Sequence, residues 1–405
     1  MLLDWSPLRE FPLYRRLFLA QLVSFFGSQI TYVALPFQLY TLTGSTLKVG
    51  LLGLFQLAPL LLVGLMGGAV ADRFDRRLVC LVSEALLASL NLLLILLNTT
   101  EGITESWIYA IGALGSGLNA FHRPAFSSLV PQVVTREAMP RVSPLNSFPT
   151  SFGMITGPAV GGLLIAGLGI QWTYAVDFLT YVFAMVMMFS LPKLPAQHAA
   201  QRRISWGMIR EGLSYAWSRK DLLGTYLVDI FAMTLAFPNP LFPLLAKSGA
   251  GEEKLGWYYS AIACGAMLAT LTSRWTIRVV HHGRMIALGA SGWGLGILLF
   301  GLNIKSYFLS LAFLAFAGWS DMISGIFRQT IWNQTIPQER RGRLASIEML
   351  SYVSGPLLGN SLMGLLADRF GPEAALSAGG GVAMVSCLAL ALVLKSFWNY
   401  RATPA

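Results

Sequence analysis

An all-α membrane protein of twelve transmembrane helices in two six-helix halves is the fold class the sequence predicts, and three observations carry it. The 405 residues are 55% hydrophobic and only 12% charged, with a mean hydropathy of +0.61; a soluble domain carries about 25% charged residues. Apolar runs of about 20 residues, enough to cross a bilayer core, recur along the chain, and no alternating pattern of short strands occurs, which excludes a β-barrel. The runs form two sets of six, separated by the one polar stretch in the chain.

Candidate spans lie near 13–40, 46–71, 77–98, 106–131, 141–168 and 172–192, then 222–247, 254–279, 284–302, 307–334, 343–367 and 372–396. Between the sets, 193–221 holds Pro195, Arg202 and Arg203, then Ile204, Met208, Ile209, Leu213 and Trp217 at helical spacing. That segment reads as a cytoplasmic linker ending in an amphipathic helix on the membrane surface. The domain expectation is therefore 1–192, linker 193–221, and 222–405. Placing the N-terminus in the cytoplasm puts 22 of the 29 basic residues on that side, from Arg9 and Arg15 through Arg340 and Arg401. The positive-inside rule thus expects both termini in the cytoplasm. It also accounts for the net charge of +10 without a nucleic-acid partner, because the basic residues are spread over short loops. Cys80, Cys264 and Cys387 lie in apolar runs without metal spacing and read as packing residues.

The halves repeat. A shift of 202 places Arg141 on Arg343, Gly157 on Gly359, Gly162 on Gly364 and Gly169 on Gly371; a shift of 205 places Arg123 on Arg328, and one of 206 places Gly50 on Gly256. Two six-helix halves related by a parallel repeat describe a secondary transporter with a central site.

Between the second and third spans stands Gly68-Ala69-Val70-Ala71-Asp72-Arg73-Phe74-Asp75-Arg76-Arg77, and in the fifth Gly153-Met154-Ile155-Thr156-Gly157-Pro158-Ala159-Val160-Gly161-Gly162. Glycine allows close helix approach, aspartate caps or pairs, and a basic cluster pins a short turn. The first run resembles the loop signature of the major facilitator superfamily, with Asp75 where that family usually has glycine. The second resembles the signature of its antiporter branch. With Val33-Ala34-Leu35-Pro36-Phe37-Gln38, Thr43-Gly44-Ser45-Thr46-Leu47-Lys48 and Gly318-Trp319-Ser320-Asp321, the chain is similar along nearly its whole length to the drug and siderophore exporters of that superfamily, in the enterobactin-exporter group. The resemblance implies gating by Gly68, Asp72, Arg73, Arg76 and Arg77 at the inward face, and by Gly153, Gly157, Pro158, Gly161 and Gly162 in the fifth span.

Charges inside apolar helices cost several kcal/mol unless they meet a partner or water. Ser116, Asn119 and Arg123 in the fourth span, and Asp321, Ser324 and Arg328 in the tenth, share one spacing and so one helical face in each half. Asn119, Arg123, Asp321 and Arg328, with Gln29, Gln38, Trp319 and Gln329, are the expected substrate-binding residues. Asp229, Asp321 and Glu348 are the expected proton carriers, with Glu84 next. Arg328 and Asp321 stand about 10 Å apart along the helix axis, which is expected to keep them from pairing directly. Asp177 is expected to reach external water, and His122 reads as a lone structural histidine.

The reading is a secondary transporter in a bacterial inner membrane, working as a monomer, that exports a small amphipathic metabolite such as a catecholate siderophore by proton antiport and alternating access. A macrolide or multidrug efflux pump is the main alternative, and a nutrient or lipid importer a further one. The partners are thus a small-molecule substrate, protons and the lipid bilayer, with no cofactor and no metal. The chain has no Gly-Lys, HExxH, CxxC or GxSxG, so it is not read as an enzyme. In a variant lacking the three cysteines, Glu101→Cys and Glu252→Cys should react with an impermeant thiol reagent applied to intact cells. Lys220→Cys and Arg341→Cys should not, and the reverse pattern would overturn the topology.

Overall fold

The computed structural model describes residues 4–73, 75–192, 217–336 and 341–401, and only the backbone of 64–73, 250 and 341–351. The described chain is helical: α1 Ser6–Glu10, α2 Pro12–Thr43, α3 Thr46–Arg73, α4 Arg76–Thr99, α5 Glu105–Ser127, α6 Val130–Val133, α7 Met139–Leu168, α8 Ile170–Phe189, α9 Lys220–Leu235, α10 Phe242–Leu245, α11 Leu255–Leu271, α12 His282–Leu302, α13 Tyr307–Thr335, α14 Arg341–Phe370, α15 Pro372–Val393 and α16 Lys395–Trp398. Each of the twelve predicted spans has its helix. Nine helical stretches among the described residues are long and apolar enough to cross a membrane. The expected amphipathic linker helix falls largely in 193–216, outside the described residues.

Three predicted spans end early: the eighth gives way after Leu271 to a short 3-10 turn at Ser273–Arg278, and two stop at prolines. The fourth stops at Ser127, three residues beyond Pro124, and α6 restarts with Pro131 in its first turn. The seventh breaks after Leu235, where Pro238, Pro240 and Pro243 admit only short turns. At the other junctions the sequence chooses its own stops. Gly169 (φ +86°) ends α7 and opens α8, and Gly371 (φ +84°) does the same between α14 and α15. Both lie in the left-handed region that a side chain disfavours, and they are the pair brought together by the 202-residue shift.

The chain forms two compact units: Met1–Thr43 with Phe55–Arg203 and Gly251–Trp257, and Gly44–Leu54 with Ile204–Ala250 and Tyr258–Ala405. In the first unit α2 packs on α7 and α8, and α4 on α5 and α8. Its core joins Leu17, Ala20, Cys80, Phe126 and Met188 in one cluster, and Tyr14, Phe18, Val142 and Leu145 in another. Close approach rests on glycine. A side chain at Gly27 would run into Thr180 and Asp177 of α8. One at Gly153 would strike the Phe25 ring at 2.5 Å, one at Gly157 the Cβ of Gln29 at 2.5 Å, and one at Gly161 the backbone of Ile30 at 3.3 Å. The three glycines of α7 thus face α2. Gly162, one residue on, would meet the Gly256 amide at 2.6 Å instead.

In the second unit α12 packs on α13 and α15, and α9 on α14 and α15. Here Gly364 of α14 lies against Gly50 of α3, with a Cβ at Gly364 only 3.0 Å from the Gly50 Cα. Gly162 with Gly256 and Gly364 with Gly50 are therefore repeat-equivalent contacts, one inside each unit.

Arg141 at the start of α7 forks onto the Glu10 carboxylate at 3.0 and 2.8 Å, so α1 is tied down. That bond holds Glu10 below its usual carboxyl range. The large apolar side chains left exposed, such as Leu62, Leu179 and Phe308, suit a lipid-facing surface.

Gly157→Leu should destabilise the solubilised protein by about 1–3 kcal/mol, since a well-packed contact has no room for it. Gly167→Leu on the same helix meets open space and should leave the thermal midpoint within a degree or so. Equal loss in both variants would show that the α2 contact is not the cause.

Candidate functional site

The first unit encloses a cavity of about 320 Å³ between α2, α4, α5, α7 and α8. From α5 come Asn119, His122, Arg123 and Phe126; from α2 Gln21, Ser24, Phe25 and Ser28; from α7 Asn146, Thr150 and Met154; from α8 Tyr181. Arg123 is exposed and forms no ion pair with any described residue. Asn119 is fixed by donating to the Gly115 carbonyl one turn back at 2.9 Å. Ser116, the third member of the expected stripe, donates to the Gln56 carbonyl at 2.9 Å and anchors α5 to α3.

Behind His122, Glu84 of α4 is buried to 1% exposure, its Oε1 3.2 Å from the His122 Nε2. The approach is not aligned as a hydrogen bond, and neither Glu84 oxygen has a donor among the described residues. His122 is therefore not the lone histidine that the sequence suggested.

In the second unit Arg328 of α13 is the centre. Its Nη1 pairs with Oδ1 of Asp229 on α9, and its Nη2 reaches Oδ1 of Asp321, one helix over seven residues, at 3.4 Å. The expectation that Arg328 and Asp321 stand too far apart to pair is corrected. Axial rise alone left the length of the arginine side chain out of account, and the guanidinium reaches back along the helix to the carboxylate. Asp229 is 6% exposed and Asp321 35%. Ser324, between the two on α13, is 1% exposed, and its hydroxyl has no partner. Trp332 donates its indole N–H to Thr225 at 2.9 Å, fixing α13 on α9 next to the pair.

The remaining expected residues are placed as follows. Gln38 is buried, donates to Asn98 at 2.5 Å and accepts from Tyr174 at 2.8 Å, so its amide serves helix packing. Gln29 covers Gly157. Trp319 stacks on Phe316 at 6.3 Å, and Gln329 is exposed. The side chains of Gly68, Asp72, Arg73 and Glu348 lie outside the described residues. In the same loop Asp75 caps α4, accepting from the Arg77 amide at 2.9 Å. Arg77 donates to the Met188 and Phe189 carbonyls at 3.0 and 2.8 Å, and Arg76 to that of Ser128 at 3.4 Å. Basic side chains thereby satisfy carbonyls at the ends of neighbouring helices.

Asp177 does not reach external water. It is fully buried and accepts from Thr31 at 2.5 Å, Asn91 at 3.0 Å and Thr180 at 3.1 Å, a satisfied knot joining α2, α4 and α8.

Sequence reasoning missed the α2 and α7 walls of the cavity. The signal was present: Gln21, Ser24 and Ser28, and Asn146 and Thr150, recur at helical steps of three or four.

A bundle of apolar helices in two repeated halves, each carrying charged side chains on a buried face, defines a membrane transporter rather than an enzyme. The match to the family described as transmembrane secretion effector covers residues 3–401, and the chain belongs to this family of the major facilitator superfamily. Curated relatives include the enterobactin exporter EntS of Escherichia coli O1:K1 and that of Shigella boydii serotype 18, each 28% identical over all of this chain and 97% of the relative. Among solved structures, the nucleoside transporter NupG aligns with a TM-score of 0.76 at 13% identity, covering 96% of this chain and 99% of that one. A bacterial homologue of the iron transporter ferroportin aligns at 0.72 with 14% identity, covering 95% and 99%. At those identities they establish the fold.

Removing Arg328 leaves two carboxylates facing one another, one of them deeply buried. Arg328→Ala should therefore cost about 3–5 kcal/mol of stability, as for other broken buried pairs. Arg328→Ala combined with Asp229→Asn should recover much of it. Thermal unfolding in detergent reads both, and no recovery in the double variant would overturn the pairing.

Proposed function

We propose that this transporter exports a small amphipathic metabolite of the catecholate siderophore type from the cytoplasm, exchanging it for protons through alternating access. It would act as a monomer in a bacterial inner membrane, with both termini in the cytoplasm. The observation that carries this reading is the cavity of the first unit. Arg123 opens into it without a carboxylate partner, beside the Asn119 amide and the Ser24 and Ser28 hydroxyls, while Phe25, Phe126 and Tyr181 supply flat apolar walls. A catechol needs that combination: aromatic surface for its ring, and donors with a fixed positive charge for its adjacent oxygens. At the small end of the roughly 300–1,000 Å³ usual for ligand pockets, the cavity suits one aromatic arm of a larger molecule. Relatives named enterobactin exporters over the full length support the same substrate class.

The guanidinium groups stay charged throughout and do not carry the proton. In the second unit two carboxylates share one arginine. Asp229, the more deeply buried, keeps the direct pair, and Asp321, at 3.4 Å and more open, is the group we assign to exchange the proton.

Export of enterobactin, and of a macrolide as the competing substrate, is to be measured in vesicles across imposed pH gradients. Asp321→Asn should still bind enterobactin and lose the gradient dependence. Arg123→Ala should weaken binding roughly tenfold to a hundredfold at every pH, as expected for the loss of a charged hydrogen bond. Preference for the macrolide would overturn the substrate class, and full gradient-driven export by Asp321→Asn would overturn the proton assignment.

A further inference from the structure

The Glu84 and His122 pair has no part in the reading above, although its position calls for one. A carboxylate at 1% exposure, with no hydrogen-bond donor to either oxygen among the described residues, is costly unless it is protonated or held against a cation. The imidazole of His122 lies 3.2 Å from it, and that ring lines the cavity while Glu84 does not. His122 thus stands between a buried acid and the space where a ligand would enter. The other groups around the pair are few. Arg123 flanks it on α5, Tyr181 on α8 lies near Glu84 with Asp177 behind it, and Cys80 lies one turn along α4. α2 and α7 bring only uncharged side chains to the cavity, among them Gln21, Ser24, Asn146 and Thr150.

We propose that Glu84 and His122 form a second proton-exchange site, at which a proton and a hydroxyl of the exported ligand compete for the same imidazole nitrogen. This rests on the reading that a hydroxyl-rich ligand enters this cavity. In this step the ring begins as imidazolium, its Nε2 beside the Glu84 carboxylate and its Nδ1 available to the cavity that the ring lines. When a catechol enters, the Nδ1–H bond breaks and the proton leaves to cavity water. The neutral nitrogen then accepts the ligand O–H, while Nε2–H stays on Glu84. One proton leaves as one hydrogen-bond donor arrives, and departure of the ligand reverses the step. Exchange here needs no charge on the ligand, since a catechol hydroxyl, like the tyrosine phenol, stays largely protonated near neutrality. Arg123, on the next residue, lines the same cavity and binds the ligand there.

The test is proton release on binding. Purified transporter in weakly buffered detergent is titrated with enterobactin, with tryptophan fluorescence reporting binding and an indicator dye reporting protons. The wild-type protein should release protons as it binds, and His122→Gln and Glu84→Gln should bind while releasing fewer. Enterobactin with its catechol oxygens methylated has no hydroxyl to donate. It should bind the wild-type protein without releasing protons from this site, which keeps the test available should either variant fail to fold. Wild-type release from the methylated compound equal to that from enterobactin, or undiminished release from both variants, overturns the site and leaves the export reading standing. Failure of enterobactin to bind the wild-type protein overturns both.

Discussion

Backbone contact at glycine is the constraint on which the rest of this structure depends. In a bilayer, lipid tails are as apolar as leucine, so no hydrophobic force draws one helix to another, and association rests on close packing and hydrogen bonds. Gly153, Gly157 and Gly161 bring α7 against Phe25, Gln29 and Ile30 of α2. That approach places Asn146 and Thr150 on the same cavity as Gln21, Ser24 and Ser28. The glycine run therefore sets the width of the space it borders, and its spacing answers to α2 rather than to anything in its own helix. The repeat-equivalent contacts of Gly162 with Gly256 and Gly364 with Gly50 extend the same rule to both units.

The two halves treat their equivalent arginines differently. Arg328 is held between Asp229 and Asp321, at 13% exposure. Arg123 opens into a cavity and forms no ion pair with any described residue, and Glu84 of the same unit lies beside His122. A guanidinium committed to two carboxylates has little left to offer a ligand, whereas one without a paired acid gains by meeting one. Equivalent positions of the repeat thus hold a charge lock in one unit and a cavity-facing guanidinium in the other. The polar knot at Asp177 shows the third possibility, a buried carboxylate satisfied entirely by neutral donors.

Much of this was legible in the sequence, for identifiable reasons. Span length, the repeat offsets and the junction glycines Gly169 and Gly371 are properties of local chain chemistry, and they read directly. The face shared by Asn119 and Arg123 followed from helical spacing alone. What did not read were contacts between helices. Nothing near Glu84 names His122, 38 residues on, as its neighbour, and nothing near Gln38 shows that Asn98 and Tyr174 occupy its amide. The Arg328 to Asp321 contact failed differently: axial rise was counted, and the length of the side chain was not. Asp75 was visible as a departure from the loop signature, yet its use as the cap of α4 depends on backbone geometry that no residue count supplies.

α5 shows why a helix with a polar face is informative. It runs 23 residues from Glu105 to Ser127, long enough to cross a bilayer, yet it is absent from the nine stretches apolar enough to do so on composition. The deficit comes from Ser116, Asn119, His122 and Arg123, and a helix bearing these on its surface would be unstable against lipid. Its neighbours resolve the conflict. α4 covers one side, the Gln56 carbonyl takes the Ser116 hydroxyl, and the cavity receives Asn119, His122 and Arg123. Polarity that prevents α5 from facing lipid obliges the other helices of the unit to close around it, and the space they leave at its polar face is lined by Arg123, which forms no ion pair with any described residue.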